Sequence, residues 1–187
     1  MPKPPLPKAV ALRIELKEVA PLVWRRVLVP DNWTLAALHN YLQWVMGWTD
    51  SHAHEFEIGA GLVAPDWWIR EAWSEEEANR YRDERRVSVA AVVVELGPRG
   101  EFEYRYDMGD GWAHRIVIES APPSAADEFP LPVCVAGENA CSVLSAAVWI
   151  SPPCVALIAG RSLSPCDRRA RSRAAERSTA GAPHAAP

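Results

Sequence analysis

Two β-strands and the turn between them are encoded in the stretch Tyr104-Arg105-Tyr106-Asp107-Met108-Gly109-Asp110-Gly111-Trp112-Ala113-His114. Glu101 to Tyr106 and Trp112 to Glu119 both have strand-like patterns, and the five residues between them include the glycines that a hairpin loop needs. The stretch therefore predicts an antiparallel hairpin. Its turn also holds two aspartates close to an aromatic residue and a histidine, so the hairpin is a candidate functional site as well.

A second hairpin is predicted near the N-terminus. Ala9 to Lys17 alternates apolar and charged residues in the manner of a half-buried strand. After a break at Pro21, Val23 to Val29 repeats a strand-like pattern. The two segments are close enough in sequence to pair with each other.

Between the hairpins, apolar residues at helical spacing predict one main helix from Leu35 to Met46, with Thr34 as its N-cap. The residues His52 to Ile58 then alternate as a strand does, which places His52 and His54 on the same face as two apolar side chains. Together these elements predict an α+β fold with a mixed, mainly antiparallel sheet and one main helix packed on it.

The middle of the chain has weaker patterns. Ala60 to Trp73 contains glycine, proline and tryptophan and is typical of a loop. Ser74-Glu75-Glu76-Glu77 fits a capping box that opens a short helix to about Arg82. Val87 to Leu96 fits a short helix or a buried strand, because its apolar run satisfies both patterns.

Composition divides the 187 residues into two parts. Residues 1–141 hold 14 Lys and Arg against 22 Asp and Glu, whereas residues 142–187 hold six Arg and two acids. Ala, Ser, Pro and Arg fill 29 of these last 46 positions, and such a segment buries too little apolar surface to offset its ordering entropy. We predict a disordered N-terminal extension (1–8), one domain (9–141) and a disordered C-terminal tail (142–187).

No segment is long and apolar enough for a membrane span, and the N-terminus lacks the apolar core of a signal peptide. We therefore expect a cytoplasmic protein that has no membrane partner. The four cysteines, Cys134, Cys141, Cys154 and Cys166, form no Cys-x-x-Cys pair. We expect them to be free thiols in a reducing compartment rather than zinc ligands.

Several motifs occur in an order that is typical of one family. In chain order they are Trp24-Arg25-Arg26-Val27, Leu38-His39, Met46-Gly47-Trp48, His52-Ala53-His54-Glu55-Phe56 and Tyr106-Asp107-Met108-Gly109-Asp110-Gly111-Trp112 with His114. This series resembles the plasmid pRiA4b ORF-3-like family, whose members are also labelled as TnpR-like transposon-passenger proteins. The resemblance covers roughly Ala9 to Cys141 and implies an α+β domain with no established reaction.

The resemblance stops after Cys141. The family pattern continues with Pro-Pro-Glu-Asp and Gly-Gly, but here the chain continues with Ser142-Val143-Leu144-Ser145-Ala146-Ala147. Our hypothesis is that a reading-frame change replaced the native C-terminus, so that residues 142–187 are a frame-shifted tail.

The candidate ligand-binding residues are Trp48, His52, His54, Asp107, Asp110, Trp112 and His114. Two imidazoles and a carboxylate suit zinc or iron, so His52, His54 and Asp107 are candidate ligands of a divalent metal, the one cofactor considered. The alternative is that the histidines are bonded within the core and the aspartates satisfy turn amides. No catalytic residue is assigned.

Arg25 and Arg26 are candidates for nucleic-acid contacts, but the net charge of −8 over residues 1–141 opposes this role, because phosphate contacts supply most of the affinity. We predict a non-enzymatic binding domain, an accessory or passenger protein of a mobile element with a protein or nucleic-acid partner. The alternative is a metal-dependent hydrolase or nuclease that uses the same histidines and aspartates.

Overall fold

Eight strands form one sheet in the computed structural model, which describes residues 7–120 and 130–139. They are β1 (Ala9–Leu16), β2 (Trp24–Pro30), β3 (His54–Ile58), β4 (Gly61–Ala64), β5 (Tyr81–Asp83), β6 (Glu101–Tyr106), β7 (Trp112–Glu119) and β8 (Val133–Glu138). Their order across the sheet is β5-β4-β3-β6-β7-β1-β2-β8. Only the β4–β5 pair among these strands is parallel, so the sheet is mixed and mainly antiparallel.

Both predicted hairpins are present. Strands β1 and β2 pair with Arg13 opposite Arg26, and strands β6 and β7 pair with Tyr104 opposite His114. Strand β1 also pairs with β7, which joins the two hairpins into one sheet.

Four helices occur in the described part of the chain: α1 (Leu35–Met46), α2 (Asp66–Arg70), α3 (Glu75–Ala78) and α4 (Val89–Leu96). Helix α1 has the predicted bounds, because the Thr34 hydroxyl accepts a hydrogen bond from the Ala37 N–H at 3.3 Å and Gly47 ends the helix at φ 81°. The fold is α+β, but the prediction of one main helix is wrong.

The structure decides one open interpretation and corrects another. The apolar run after Val87 forms helix α4, since the Ser88 side chain accepts from the Ala91 N–H and caps the helix. The predicted loop from Ala60 to Trp73 contains strand β4 and helix α2. Strand β4 lies near the sheet edge and has only four residues, which are too few to show a clear periodicity.

The two faces of the sheet differ in chemistry because side chains alternate along each strand. The buried inner face contributes Leu12, Ile14, Leu16, Phe56, Ile58, Tyr104 and Ile116 to one core with Leu35, Leu38 and Leu42 of α1. The outer face carries ion pairs: the Arg105 guanidinium lies 2.6 to 3.3 Å from the carboxylates of Glu55, Glu57 and Glu103. The inner face of the sheet is therefore apolar and buried, and the outer face is charged.

None of the helices in the described ranges is long and apolar enough to cross a membrane. Cys134 is disulfide-bonded, so the expectation of a free thiol is wrong for this residue. The predicted tail and the other three cysteines lie outside the described residues.

Candidate functional site

A pocket of about 460 Å³ lies beside α1, near the first residue of β3. Its walls come from α1, from the loop that leads into β3, from the start of α2 and from the residues after β5. The lining residues are Ala36, His39, Asn40, Asp50, Ser51, His52, Ala53, His54, Pro65, Trp67, Glu84 and Arg85.

Two histidines stack inside this pocket. The rings of His39 and His54 are parallel within 4°, and their centroids are 3.4 Å apart. Each ring is bonded to a carboxylate: His39 Nε2 lies 2.9 Å from Asp50 Oδ1, and His54 Nε2 lies 2.8 Å from Glu84 Oε2. We call these four residues the paired dyads.

The paired dyads are placed by core packing on both sides. His39 follows Leu38 on the inward face of α1, and both residues are buried. His54 is the first residue of β3, where it pairs with Tyr106 and shares the inner face with Phe56. The predicted inward orientation of His54 is therefore what the structure shows.

A buried polar network fixes His39 and the Asp50 loop. The Gln43 amide donates to the Tyr104 hydroxyl at 2.8 Å, and His39 Nδ1 lies 2.9 Å from the same oxygen. The Gln43 carbonyl accepts from the Asp50 N–H at 2.8 Å, in a turn where Asp50 has φ 53°. The dyad of His39 is thus held through both ring nitrogens.

Burial also sets the charge state of this network. It lowers the pKa of His39, and the neighbouring His54 lowers it further, whereas Asp50 opposes the change. Burial raises the pKa of Tyr104 well above its ordinary value. Both groups are therefore neutral at pH 7.

The paired dyads contain a set of possible metal ligands. His39, Asp50 and His54 each offer one ligand atom, and these atoms lie within 4.8 Å of one another. Two imidazoles and a carboxylate form a donor set used by zinc and by non-haem iron. The structure thus groups His54 with residues other than those that the sequence suggested.

The predicted metal ligands His52 and Asp107 lie apart from this group. The His52 side chain is 49% exposed, and its Nδ1 lies 3.5 Å from Asp107 Oδ2. Asp107 Oδ1 accepts from the N–H groups of Gly109 and Asp110, at 3.0 and 3.3 Å. Asp107 therefore satisfies turn amides, which was the alternative interpretation, and Asp110 itself is exposed.

Trp48, Trp112 and His114 form an aromatic cluster that does not line the pocket. The Trp48 and Trp112 rings are 5.4 Å apart, and Trp48 Nε1 donates to His114 Nε2 at 3.4 Å. His114 is fully buried and donates through Nδ1 to the Tyr104 carbonyl. His114 thus belongs to the buried interior, and Trp48 and Trp112 are half-buried and pack against the core.

A family model described as plasmid pRiA4b ORF-3-like protein matches residues 8–143. The chain belongs to this family. The uncharacterised protein y4hQ of Sinorhizobium fredii (strain NBRC 101917 / NGR234) is 42% identical over 125 residues, which make up 65% of this chain and 59% of that protein. The chain thus spans less than two thirds of the length of this curated relative.

A solved structure is also similar to this pRiA4b ORF-3-like protein. It is the crystal structure of a protein of unknown function from Methanosarcina mazei Go1, with a TM-score of 0.58 and 26% sequence identity. The similarity covers 74% of this chain and 73% of that one. Neither relative's description names a ligand or a reaction.

The sequence patterns of this family member do not identify His39, Asp50 or Glu84 as site residues. His39 had a usable signal, because it lies four positions after Leu35 and three before Leu42 on the apolar face of α1. Asp50 and Glu84 had no such signal, since the histidines that they contact are 11 and 30 residues away in sequence.

The guanidinium groups of Arg25 and Arg26 are engaged within the pRiA4b ORF-3-like domain. Arg26 forms two hydrogen bonds with the Glu119 carboxylate, and Arg25 donates to the backbone carbonyls of Trp24, Val45 and Glu138. A nucleic-acid contact at these residues stays a prediction.

Proposed function

We propose that this chain is a non-enzymatic binding domain, a cytoplasmic accessory protein of a mobile element, and that it binds its ligand in the pocket of the paired dyads. The observation that carries the proposal is the arrangement of this pocket. Buried histidines and Glu84 form its inner wall, while Trp67 and Arg85 are exposed beside them.

The lining chemistry favours a small polar ligand, or a polar side chain of a partner protein, that has a planar group. The Trp67 ring is 52% exposed and offers a face for stacking. Asp50 offers carboxylate acceptors, and the Arg85 guanidinium forms no ion pair with any residue in the described ranges. Nucleotides, amino acids and short peptides are therefore the first compounds to test.

Two tryptophans make an NMR test of ligand binding specific to this pocket. The indole N–H resonance of Trp67 reports on the pocket, and that of Trp73, which is 97% exposed and outside the pocket, is the internal control. Resonances are assigned from Trp67→Phe and Trp73→Phe. We expect one class of compound to shift the Trp67 resonance and leave the Trp73 resonance in place.

A matched pair of variants then locates the ligand. Ala36 lines the pocket and Ala37, its neighbour in the first turn of α1, does not. Ala36→Leu fills the pocket and should abolish the Trp67 shift, whereas Ala37→Leu should preserve it. Binding that survives Ala36→Leu, or no shift with any compound class, would contradict the proposal.

A metal-dependent hydrolase or nuclease is the second candidate, favoured by the group of His39, Asp50 and His54. It predicts hydrolysis of a phosphodiester such as bis(4-nitrophenyl) phosphate in the presence of added zinc or manganese. Activity should disappear in Asp50→Asn and persist in His52→Asn, because only Asp50 belongs to the group.

A further inference from the structure

We propose that His39, Asp50 and His54 bind one divalent transition-metal ion, that Glu84 holds the ring of His54, and that zinc is the ion to test first. This inference rests on the proposed function, because it assigns a cofactor to the same pocket. The proposed ligands also differ from the set suggested by the sequence, in which His54 was grouped with His52 and Asp107.

The donor set supplies three ligands of a four-coordinate ion and leaves the fourth position open. It has two imidazole nitrogens and one carboxylate oxygen, all within 4.8 Å of one another, and these are ligands that zinc binds in tetrahedral sites. The N···O contact of 2.9 Å already brings a nitrogen of His39 to an oxygen of Asp50.

Outer contacts support the first dyad as they do in known metal sites. A histidine that binds metal through one nitrogen usually has a hydrogen-bond partner at the other. His39 meets this condition, because its Nδ1 lies 2.9 Å from the Tyr104 hydroxyl and its Nε2 faces Asp50. Gln43 holds both the Tyr104 hydroxyl and the Asp50 N–H, so it couples the ligand ring to the ligand loop.

Binding requires a defined change in the stack. An imidazole binds a metal in its own ring plane, and two parallel rings 3.4 Å apart do not both point at one ion. Zinc at roughly 2.0 to 2.2 Å from each ligand needs about 3.4 Å between neighbouring ligand atoms, so the His39–Asp50 contact of 2.9 Å must open by about half an ångström. His39 is held at both nitrogens, so we expect the His54 ring to be the one that tilts when zinc binds.

The experiment uses the untagged full chain, treated with chelator and then titrated with zinc by calorimetry at neutral pH. We expect one zinc per chain in the parent protein. Asp50→Asn and Glu84→Gln should each weaken zinc binding by more than about tenfold, since the first removes a charged ligand and the second removes the carboxylate that holds the His54 ring. His52→Asn is the matched control, because it removes a pocket imidazole outside the dyads and should leave the affinity within about twofold.

A second readout follows the rings themselves. Stacking shifts the carbon-bound ring protons of His39 and His54 to high field in the NMR spectrum, and zinc should reverse this shift as the stack opens. Circular dichroism checks that each variant is folded. No zinc uptake by the folded parent, or zinc binding lost in His52→Asn and kept in Asp50→Asn, would overturn the inference.

The failure of this inference is distinguishable from the failure of the proposed function. A compound that shifts the Trp67 indole resonance in protein that takes up no zinc would overturn the metal site and leave the binding function. Stoichiometric zinc with the expected variant pattern supports the metal site whether or not any organic compound shifts that resonance.

Discussion

His39 and His54 stack face to face, with ring centroids 3.4 Å apart, although one belongs to a helix and the other to a strand. Each ring is bonded to its own carboxylate at nearly the same distance. The carboxylates differ in exposure, because the Glu84 side chain is 8% exposed and the Asp50 side chain is 55% exposed. Two bonds of similar length therefore differ in their effect on stability.

We expect Glu84→Gln to lower the free energy of unfolding by about 1 kcal/mol, because a neutral amide replaces a charged acceptor in a buried hydrogen bond. Asp50→Asn makes the same change at an exposed carboxylate and should cost less than about 0.5 kcal/mol. Asparagine also tolerates the positive φ of 53° at Asp50. Urea unfolding measures both variants, and equal costs would contradict the argument from burial.

The hydroxyl of Tyr104 should matter far more than that of Tyr41. Tyr104→Phe leaves the Gln43 amide and His39 Nδ1 without their shared buried partner, so it should cost about 1 to 3 kcal/mol. The Tyr41 hydroxyl is buried and has no hydrogen-bond partner among the described residues. Tyr41→Phe should therefore be neutral or stabilising in the same urea titration, and a loss of more than about 1 kcal/mol would reveal a missed partner.

Asp107 is expected to act through the turn between β6 and β7. Its carboxylate accepts two backbone N–H groups while its own φ is 60°. Asp107→Ala should cost about 1 to 2 kcal/mol, because it removes the acceptor and adds backbone strain. Asp107→Asn keeps an acceptor and tolerates this φ, so it should cost less than half as much in thermal or urea unfolding. Similar losses of stability in both variants would mean that the negative charge of Asp107 beside His52 matters more than its hydrogen bonds to the turn.

Much of the fold was predictable because local patterns and tertiary packing agree. Strands β1, β6 and β7 alternate so regularly that both hairpins follow from period alone, and Thr34 with Gly47 marks the ends of α1. Strand β4 and helix α2 were missed because short elements carry too few periods, and their pairing partners are distant in sequence.

The candidate site was only half predictable for a related reason. Alternation along β3 correctly predicts the inward orientation of His54, but it also predicts that His52 lies on the same face. In the structure β3 begins at His54, so His52 lies outside the sheet. The partner of His54 is Glu84, the residue that follows strand β5. Contacts between side chains 30 residues apart depend on the sheet order, which local periodicity does not specify.

His114 links the fold to pH. Its ring is fully buried on β7, and burial lowers its pKa from 6.5 to about 4, although the hydrogen bond to the Tyr104 carbonyl opposes this change. The unfolded chain therefore takes up a proton near pH 6.5 that the folded chain does not accept until about pH 4. The contribution of the buried, neutral His114 ring to stability is therefore complete above the pKa of the unfolded chain. It is lost as the pH falls towards the pKa of the folded chain.

We expect this linkage to appear as a difference between the parent protein and His114→Gln. Between neutral pH and pH 4 the parent should lose roughly 3 kcal/mol more stability than the variant, because glutamine has no proton to gain. Carboxylates titrate in both proteins, so their contribution cancels in the comparison. Urea unfolding across this range gives the two curves. Parallel curves would mean that the unfolded and folded chains protonate His114 alike, which its full burial argues against.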